Sequence, residues 1–395
     1  MRVAIVSDYF FDYVGGAQTS MRQQVLALEQ AGHSVILVSP GRSVAGPGYR
    51  LSGGNLQIRP LFRLPVLDLG VIANTARGVA RFESFLRTEA VDVVHVQTEF
   101  GLAHLAARAA ENLRIPLVHT VHSFYWASEG PPQASVAWLV RWCLQRVTGQ
   151  TLPRFALTTR QSDNVLRNLV LAMCYRAKQV VSPSSHQAAD LAAAGVSAQM
   201  SVIPNPIATA TVQSSPLTLE QATDPKFLWV ARCEPAKRPL PFARAAIAAL
   251  ARTGNGFTVD FVGEGSELAS LRKLVAGHPK IRVLGAISHD EVLNLMDTSA
   301  IIALTSHGFD NQPMTIAEAV SRARGVLYCD PALTEGLQNS GHLTETADVS
   351  GLADAIVALV QNPGRLVQLS EGTLIDQELF SPSAYVARIT EVYLR

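Results

Sequence analysis

Met1-Arg-Val-Ala-Ile-Val-Ser-Asp8 opens the chain, and Gly15-Gly16 follow just ahead of a helical pattern that begins at Gln18. A short β-branched run closed by an aspartate, then glycines, then a helix is the opening of a βαβ unit. The apolar run is too short for the core of a signal peptide and meets Asp8 at once, so it reads as a first strand. Working outward, strands are predicted over 34–38, 91–96, 117–121, 179–182 and 200–203, with helices over 18–31, 102–113 and 186–194. The stretch 208–225, rich in Ser, Thr, Gln and Ala, reads as a linker. The pattern then restarts, with strands over 227–231, 258–262, 281–284, 300–304 and 325–329. Helices fit 240–252, 267–276, 289–296, 313–322, 349–360 and 382–394.

Composition agrees with this plan. The chain has 395 residues, 48% apolar and only 16% charged, which excludes a disordered or coiled-coil protein and supplies two buried cores. A net charge of +1 gives no global field for nucleic acid. Cys143, Cys174, Cys233 and Cys329 form no CxxC pair, so neither a zinc knuckle nor a disulfide framework is expected, and a reducing, cytoplasmic compartment fits. No window approaches 18 uninterrupted apolar residues, so no bilayer span is expected.

In doubly wound sheets the ligand crevice lies outside the carboxyl ends of the strands, so candidate residues are sought just after strands. Gly15-Gly16 let a backbone approach a phosphate at a helix N-terminus, although such a pair is also an ordinary turn. Neither it nor Gly263-Glu-Gly265 completes GxGxxG, so a dinucleotide cofactor gains no support. His119-Thr-Val-His122 ends a predicted strand; on a strand that spacing puts the rings on opposite faces, which disfavours zinc. One of these histidines facing the crevice as a hydrogen-bonding group is as expected as a satisfied core histidine. His95 stands in the same situation, followed by Gln97, Thr98 and Glu99.

Arg232 and Lys237 flank a loop directly after the first strand of the second half, where two cations can clamp a diphosphate. In Ser306-His-Gly-Phe-Asp310-Asn-Gln-Pro-Met-Thr-Ile-Ala-Glu318, a strand gives way to a loop with an acid and then to a helix. Glu318 on that helix can accept two hydroxyls, or can simply be a carboxylate favoured by the helix dipole. No Asp-x-Asp, HExxH, GxSxG or GxxxxGK[ST] occurs. From Arg141 to Lys178 seven cations stand against Asp163 alone. Trp142, Leu144, Phe155, Leu166 and Leu169 are interleaved, with Trp126, Trp138 and Leu139 upstream. That mixture suits an anionic membrane surface, a solvated helix face or the wall of an anionic-substrate cleft.

Taken together, these residues resemble the retaining nucleotide-sugar glycosyltransferases of family 4, over essentially the whole chain. The resemblance runs through Gly15-Gly16, Ala31-Gly-His33, His119-Thr-Val-His122, Val202-Ile-Pro-Asn205-Pro, Arg232 with Lys237, Gly263-Glu-Gly265 and the acid-x7-Glu element ending at Glu318. The segment from Val91 to Phe100, with the HTxH that follows, looks like members that glycosylate diacylglycerol or phosphatidylinositol-type lipids. The fold so implied is GT-B: α/β, two Rossmann-like doubly wound parallel-sheet domains facing across a cleft. Residues 1–207 would be the acceptor-binding domain, 208–225 the linker and 226–380 the nucleotide-sugar domain, with 381–395 packing back on the first domain.

By the same resemblance, Glu318 would hold the nucleotide's ribose and Asp310 the sugar hydroxyls. Arg232 and Lys237 would hold the diphosphate, and His122 would hydrogen-bond the donor sugar. Gly15, Gly16, Gly263, Asn311, Gln312, Pro313, Met314 and Thr315 would line the donor. The donor would be of UDP-glucose or GDP-mannose type, with no metal or other cofactor. The acceptor would be a lipid or glycolipid, met peripherally at the inner membrane face. The competing readings are transfer to a soluble metabolite or polysaccharide, and a non-catalytic nucleotide-sugar binding protein. Three features depart from the family pattern: Asp310 replaces a glutamate, and Ala323 and Gly325 stand where a glycine and a proline are usual.

Overall fold

The computed structural model describes residues 1–11, 15–41, 55–64, 69–124, 134–208, 214–254 and 256–395, with the side chains of 134 and 135 left out. Trp126 and residues 209–213 of the expected linker lie outside the described residues. The chain divides into two compact units, Met1–Ala208 with Pro382–Arg395, and Thr209–Ser381.

The first unit begins with β1 (Arg2–Val6), α1 (Gly16–Gln30), β2 (Ser34–Pro40), β3 (Asn55–Ile58), a hairpin of β4 (Phe62–Leu64) and β5 (Leu69–Val71), and α2 (Ala76–Thr88). It continues through β6 (Val93–Val96), α3 (Gly101–Leu113), β7 (Leu117–Thr120), α4 (Ala134–Thr148), α5 (Gln161–Cys174), β8 (Gln179–Ser182), α6 (Ser185–Ala193) and β9 (Gln199–Val202). Seven strands form one parallel sheet in the order β3-β2-β1-β6-β7-β8-β9. The central strands read RVAIV and VVHV because a parallel sheet is covered on both faces and has no polar side to alternate with.

The second unit contains β10 (Lys226–Val230), a single 3-10 turn over Pro235–Lys237, α7 (Pro239–Thr253), β11 (Thr258–Val262), α8 (Leu268–Val275), β12 (Ile281–Gly285) and α9 (His289–Asp297). It ends with β13 (Ile301–Leu304), α10 (Met314–Ser321), β14 (Gly325–Tyr328), β15 (Gly341–Leu343), α11 (Val349–Gln361) and α12 (Pro363–Asp376). Its sheet order is β12-β11-β10-β13-β14-β15, again parallel. Phe227, Trp229, Phe242, Phe257 and Phe261 supply its aromatic centre. α13 (Pro382–Leu394) belongs to the first unit, where Tyr385, Ile389, Val392 and Tyr393 join Val3, Ile5, Val25 and Leu28 in one core. Both units are thus Rossmann-like α/β folds.

Several elements depart from expectation. Residues 214–225 are not slack chain: Leu217 and Ala222 are buried in the second core, and the Leu217 amide donates to Ser370 Oγ at 2.7 Å. The basic stretch from Arg141 is built from α4 and α5, and several of its cations are already engaged. Arg141 donates to the carbonyls of Leu152 and Pro153, Arg167 lies over the Phe124 ring, and Arg176 forms a fork on Glu111.

The unusual residues after Glu318 have a conformational explanation. Ala323 follows the end of α10 with φ of +53°, the left-handed region where a glycine is at ease. Gly325 has no room for a side chain, because a Cβ there would lie 2.7 Å from the Leu369 Cβ of α12. A proline at 325 is therefore excluded by packing. Left-handed backbone costs an L-residue roughly 1–2 kcal/mol, of which glycine's looser unfolded chain returns about 0.4–1. Ala323→Gly should therefore raise stability by about 0.5–1 kcal/mol in urea unfolding. A loss of stability in that variant would show that the Ala323 methyl matters more than the strain.

Candidate functional site

Each sheet reverses its strand order once, and the crevice of such a fold opens at that switch point. In the first unit the switch lies between β1 and β6, in the second between β10 and β13. The predicted residues follow the carboxyl ends of these strands and of their neighbours β7 and β11.

After β1 comes Asp8, completely buried. Its carboxylate accepts the Thr98 hydroxyl at 2.7 Å and the Leu102 and Ala103 amides, in the first turn of α3, at 2.7 and 3.2 Å. Burial outweighs those hydrogen bonds and pushes the carboxyl up to about 6. α1 starts with Gly15 as an extended N-cap and Gly16 as its first residue, with no side chain capping it. Among the described residues, a Cβ on Gly16 would meet nothing within 4 Å.

The two histidines of the HTxH motif part company. β7 ends at Thr120, so the strand geometry expected through residue 121 does not reach His122. His119 is buried beside the Val96 carbonyl (3.3 Å) and Glu99 (3.5 Å). His122 Nε2 instead meets Gln97 Oε1 at 2.6 Å. Burial, reinforced by His119, drives the His122 imidazole down to about 3, so the ring is neutral at pH 7. His95 is held down to about 3 for the same reasons. It lies between Tyr393 and Thr120, at 2.8 and 2.7 Å.

In the second unit, the loop after β10 and the loop after β13 are tied by charge. Lys237 Nζ forms an ion pair with Asp310, whose other oxygen accepts the Ser306 hydroxyl, and the ammonium sits 5.2 Å from the Phe309 ring centroid. Thr305 Oγ1 accepts from Trp229 Nε1 at 2.9 Å and donates to the Lys237 carbonyl at 2.8 Å. Arg232 is exposed on the same loop. Gly263 and Gly265 have positive φ, and a Cβ on Gly263 would lie 1.8 Å from the Ala231 carbonyl oxygen. The glycines thus serve close backbone contact between the loops after β10 and β11.

Asn311 and Gln312 precede Pro313, the extended N-cap of α10, whose first residues are Met314 and Thr315. Glu318, on α10, is nearly buried and meets His289 Nε2 at 2.9 Å. His289, Ser306 and Phe309 carried no sequence signal of their own. His289 lies 29 residues from Glu318, a separation that only tertiary structure closes.

The hydrogen bond that His289 donates to the Glu318 carboxylate raises its imidazole above the ordinary value; Asp290 adds to this, while burial and Arg322 oppose it. A raised folded value means that the pair's stabilisation is fully present below about pH 6.5 and is lost as pH rises through that higher value. His289 is partly solvent-exposed, so the effect on stability is small. A histidine NMR titration should place His289 above an ordinary histidine, and Glu318→Gln should return it towards 6.5. An unchanged His289 midpoint in that variant would separate the two side chains.

Residues 14–211 match the model of glycosyltransferase family 4, and residues 224–362 match that of the glycosyl transferases group 1. An alpha-monoglucosyldiacylglycerol synthase from Streptococcus pneumoniae is 27% identical over 41% of this chain and 37% of its own length. A second, from Acholeplasma laidlawii, is 29% identical over 32% of this chain and 30% of its own. The chain therefore spans only about a third of those two relatives. A phosphatidyl-myo-inositol mannosyltransferase of Mycolicibacterium smegmatis is 23% identical over 92% of this chain and 85% of its own length. Among solved structures, Anabaena HepE in complex with UDP superposes with a TM-score of 0.70 at 16% identity, covering 99% of both chains. Sucrose-phosphate synthase from Thermosynechococcus elongatus superposes at 0.68 with 17% identity, covering 99% of this chain and 98% of its own. Two Rossmann-like parallel-sheet units, matched to these structures and to the family model over half the sequence, identify the chain as a member of glycosyltransferase family 4 with the GT-B fold.

Proposed function

We propose that this protein transfers a hexose from a nucleoside diphosphate sugar to a membrane lipid or glycolipid, with retention of configuration and without a metal. The observation that carries this reading is the switch point of the second unit. There Lys237 is pinned by Asp310, α10 begins at Met314, and Glu318 offers a nearly buried carboxylate. Breaking the glycosidic bond develops negative charge on the departing phosphate oxygen. Lys237 and Arg232 stabilise that charge, Lys237 without having to be ordered first. The acceptor oxygen bonds to the anomeric carbon on the face that the phosphate leaves, and the phosphate oxygen takes the acceptor's proton. Glu318 receives the ribose hydroxyls. Asp310, with Lys237 and Ser306 already on its two oxygens, acts first as the anchor of Lys237.

The lipid acceptor is supported by α4 and by the chain between α4 and α5. Val136, Trp138, Leu139 and Trp142 are exposed on α4, Trp138 by 68%, and Phe155 is exposed nearby in sequence. Arg146 lies over the Trp142 ring, and Arg154 is exposed. Aromatic and aliphatic side chains flanked by arginines favour the interface of an anionic bilayer. The proposed contact is peripheral, at the inner membrane face; among the described residues no helix is long and apolar enough to cross a membrane. The names of the diacylglycerol and phosphatidylinositol relatives point the same way.

Two measurements follow. Titration with UDP and GDP should show saturable binding of one of them, weakened by about 1.5–3 kcal/mol in Glu318→Ala through loss of a charged hydrogen bond. Equal binding by that variant would remove Glu318 from the donor site. Flotation with phosphatidylglycerol vesicles should carry the wild-type protein, whereas Trp138→Ser with Trp142→Ser should stay behind. Equal flotation would shift the acceptor reading towards a soluble substrate.

A further inference from the structure

Beneath His122 lies a buried chain of amides and hydroxyls that fixes where its proton sits. Gln24 of α1 donates from Nε2 to Ser20 Oγ at 3.1 Å and to Asn205 Oδ1 at 3.0 Å. Its Oε1 accepts twice, from the Tyr385 hydroxyl of α13 at 3.0 Å and from Gln97 Nε2 at 2.9 Å. An amide whose oxygen is turned towards two donors and whose nitrogen is turned towards two acceptors has one orientation. Gln97 must therefore show its NH2 group to Gln24, which leaves its oxygen for His122 Nε2 at 2.6 Å. A carbonyl oxygen can only accept, so His122 carries its proton on Nε2.

The same NH2 group lies 3.2 Å from His95 Nε2 and 3.5 Å from its Nδ1, and so sits against the imidazole ring. The two ring nitrogens of His95 meet hydroxyls, Nδ1 that of Tyr393 of α13 at 2.8 Å and Nε2 that of Thr120 at 2.7 Å. Gln24, Gln97 and His95 are all buried, as are Tyr385 and Tyr393, so no solvent competes for these bonds. Burial also keeps the Tyr385 phenol protonated, and thus a donor, across the working pH range.

We propose that Gln97 is a positioning residue that locks His122 as the Nε2–H tautomer, and that Tyr385 of the C-terminal helix holds Gln97 in that orientation through Gln24. His122 then cannot take a proton at Nε2, and it serves glycosyl transfer as a neutral hydrogen-bonding group whose lone pair is on Nδ1. That last consequence rests on the proposed donor-sugar contact of His122; the tautomer itself does not.

The test is a long-range proton–nitrogen correlation spectrum of protein labelled with nitrogen-15 histidine, assigned with His95→Gln and His122→Gln. At pH 7 the wild type should show His122 as Nε2–H. Gln97→Leu should convert His122 to a mixture of tautomers, and Tyr385→Phe, which keeps the ring, should move it part of the way. In turnover, Gln97→Leu should lower kcat on the order of tenfold with KM for the donor nearly unchanged. His122 found as Nδ1–H or charged in the wild type would overturn the proposal, as would a His122 signal unmoved by Gln97→Leu. If no nucleotide sugar is turned over by the wild type, the proposed activity fails while the tautomer assignment is still decided by the spectra.

Discussion

A parallel sheet wound in both directions has one place where neighbouring strands send their chains to opposite faces, and the chemistry-bearing side chains of each unit are gathered there. No helix fills that gap, so the loops leaving β1 and β6, or β10 and β13, are left to meet one another with polar groups. The two units solve the resulting problem of unsatisfied polar atoms in different ways. The first buries them in a neutral network of glutamines, tyrosines and histidines. The second keeps charge, holding Lys237 against Asp310 and Glu318 against His289.

That difference suits different tasks. In the buried neutral network each amide dictates the orientation of the next, and His122 is the group so oriented. In the second unit the Asp310 carboxylate holds the Lys237 ammonium in place near Phe309. Cost is visible elsewhere. Asp8 keeps a carboxyl raised to about 6 by burial, and Ala323 keeps a left-handed backbone.

Much of the fold was legible. Strands β8 and β11 and helix α13 fall on the predicted residues, because continuous β-branched runs and a proline-led helix leave little choice. The edge strands β3 and β15 are short and half exposed, so their composition resembles loop. Helix α2 carried Val79, Phe82 and Leu86 at helical spacing, but irregular chain on its N-terminal side hid its start. Helices α4 and α5 were obscured by reading Arg141 to Lys178 for charge and not for period. At the site, local sequence located the loops with Arg232, Lys237, Asp310 and Glu318. It could not foresee that Lys237 pairs with a residue 73 positions away, that His289 holds Glu318, or that Gln97 and Tyr385, the latter 361 positions from Gln24, both donate to the Gln24 amide oxygen. Such pairings follow from sheet order, which no local pattern encodes.

The most direct test of glycosyl transfer is release of nucleoside diphosphate from a panel of UDP- and GDP-sugars without added metal. It is measured with and without vesicles containing diacylglycerol, phosphatidylinositol or a glycuronosyl lipid. The account predicts release from one donor, stimulated by one lipid, with the new linkage keeping the donor's anomeric configuration. Donor binding without release under every condition would contradict catalysis, and failure of every nucleotide sugar to bind would contradict the donor site itself.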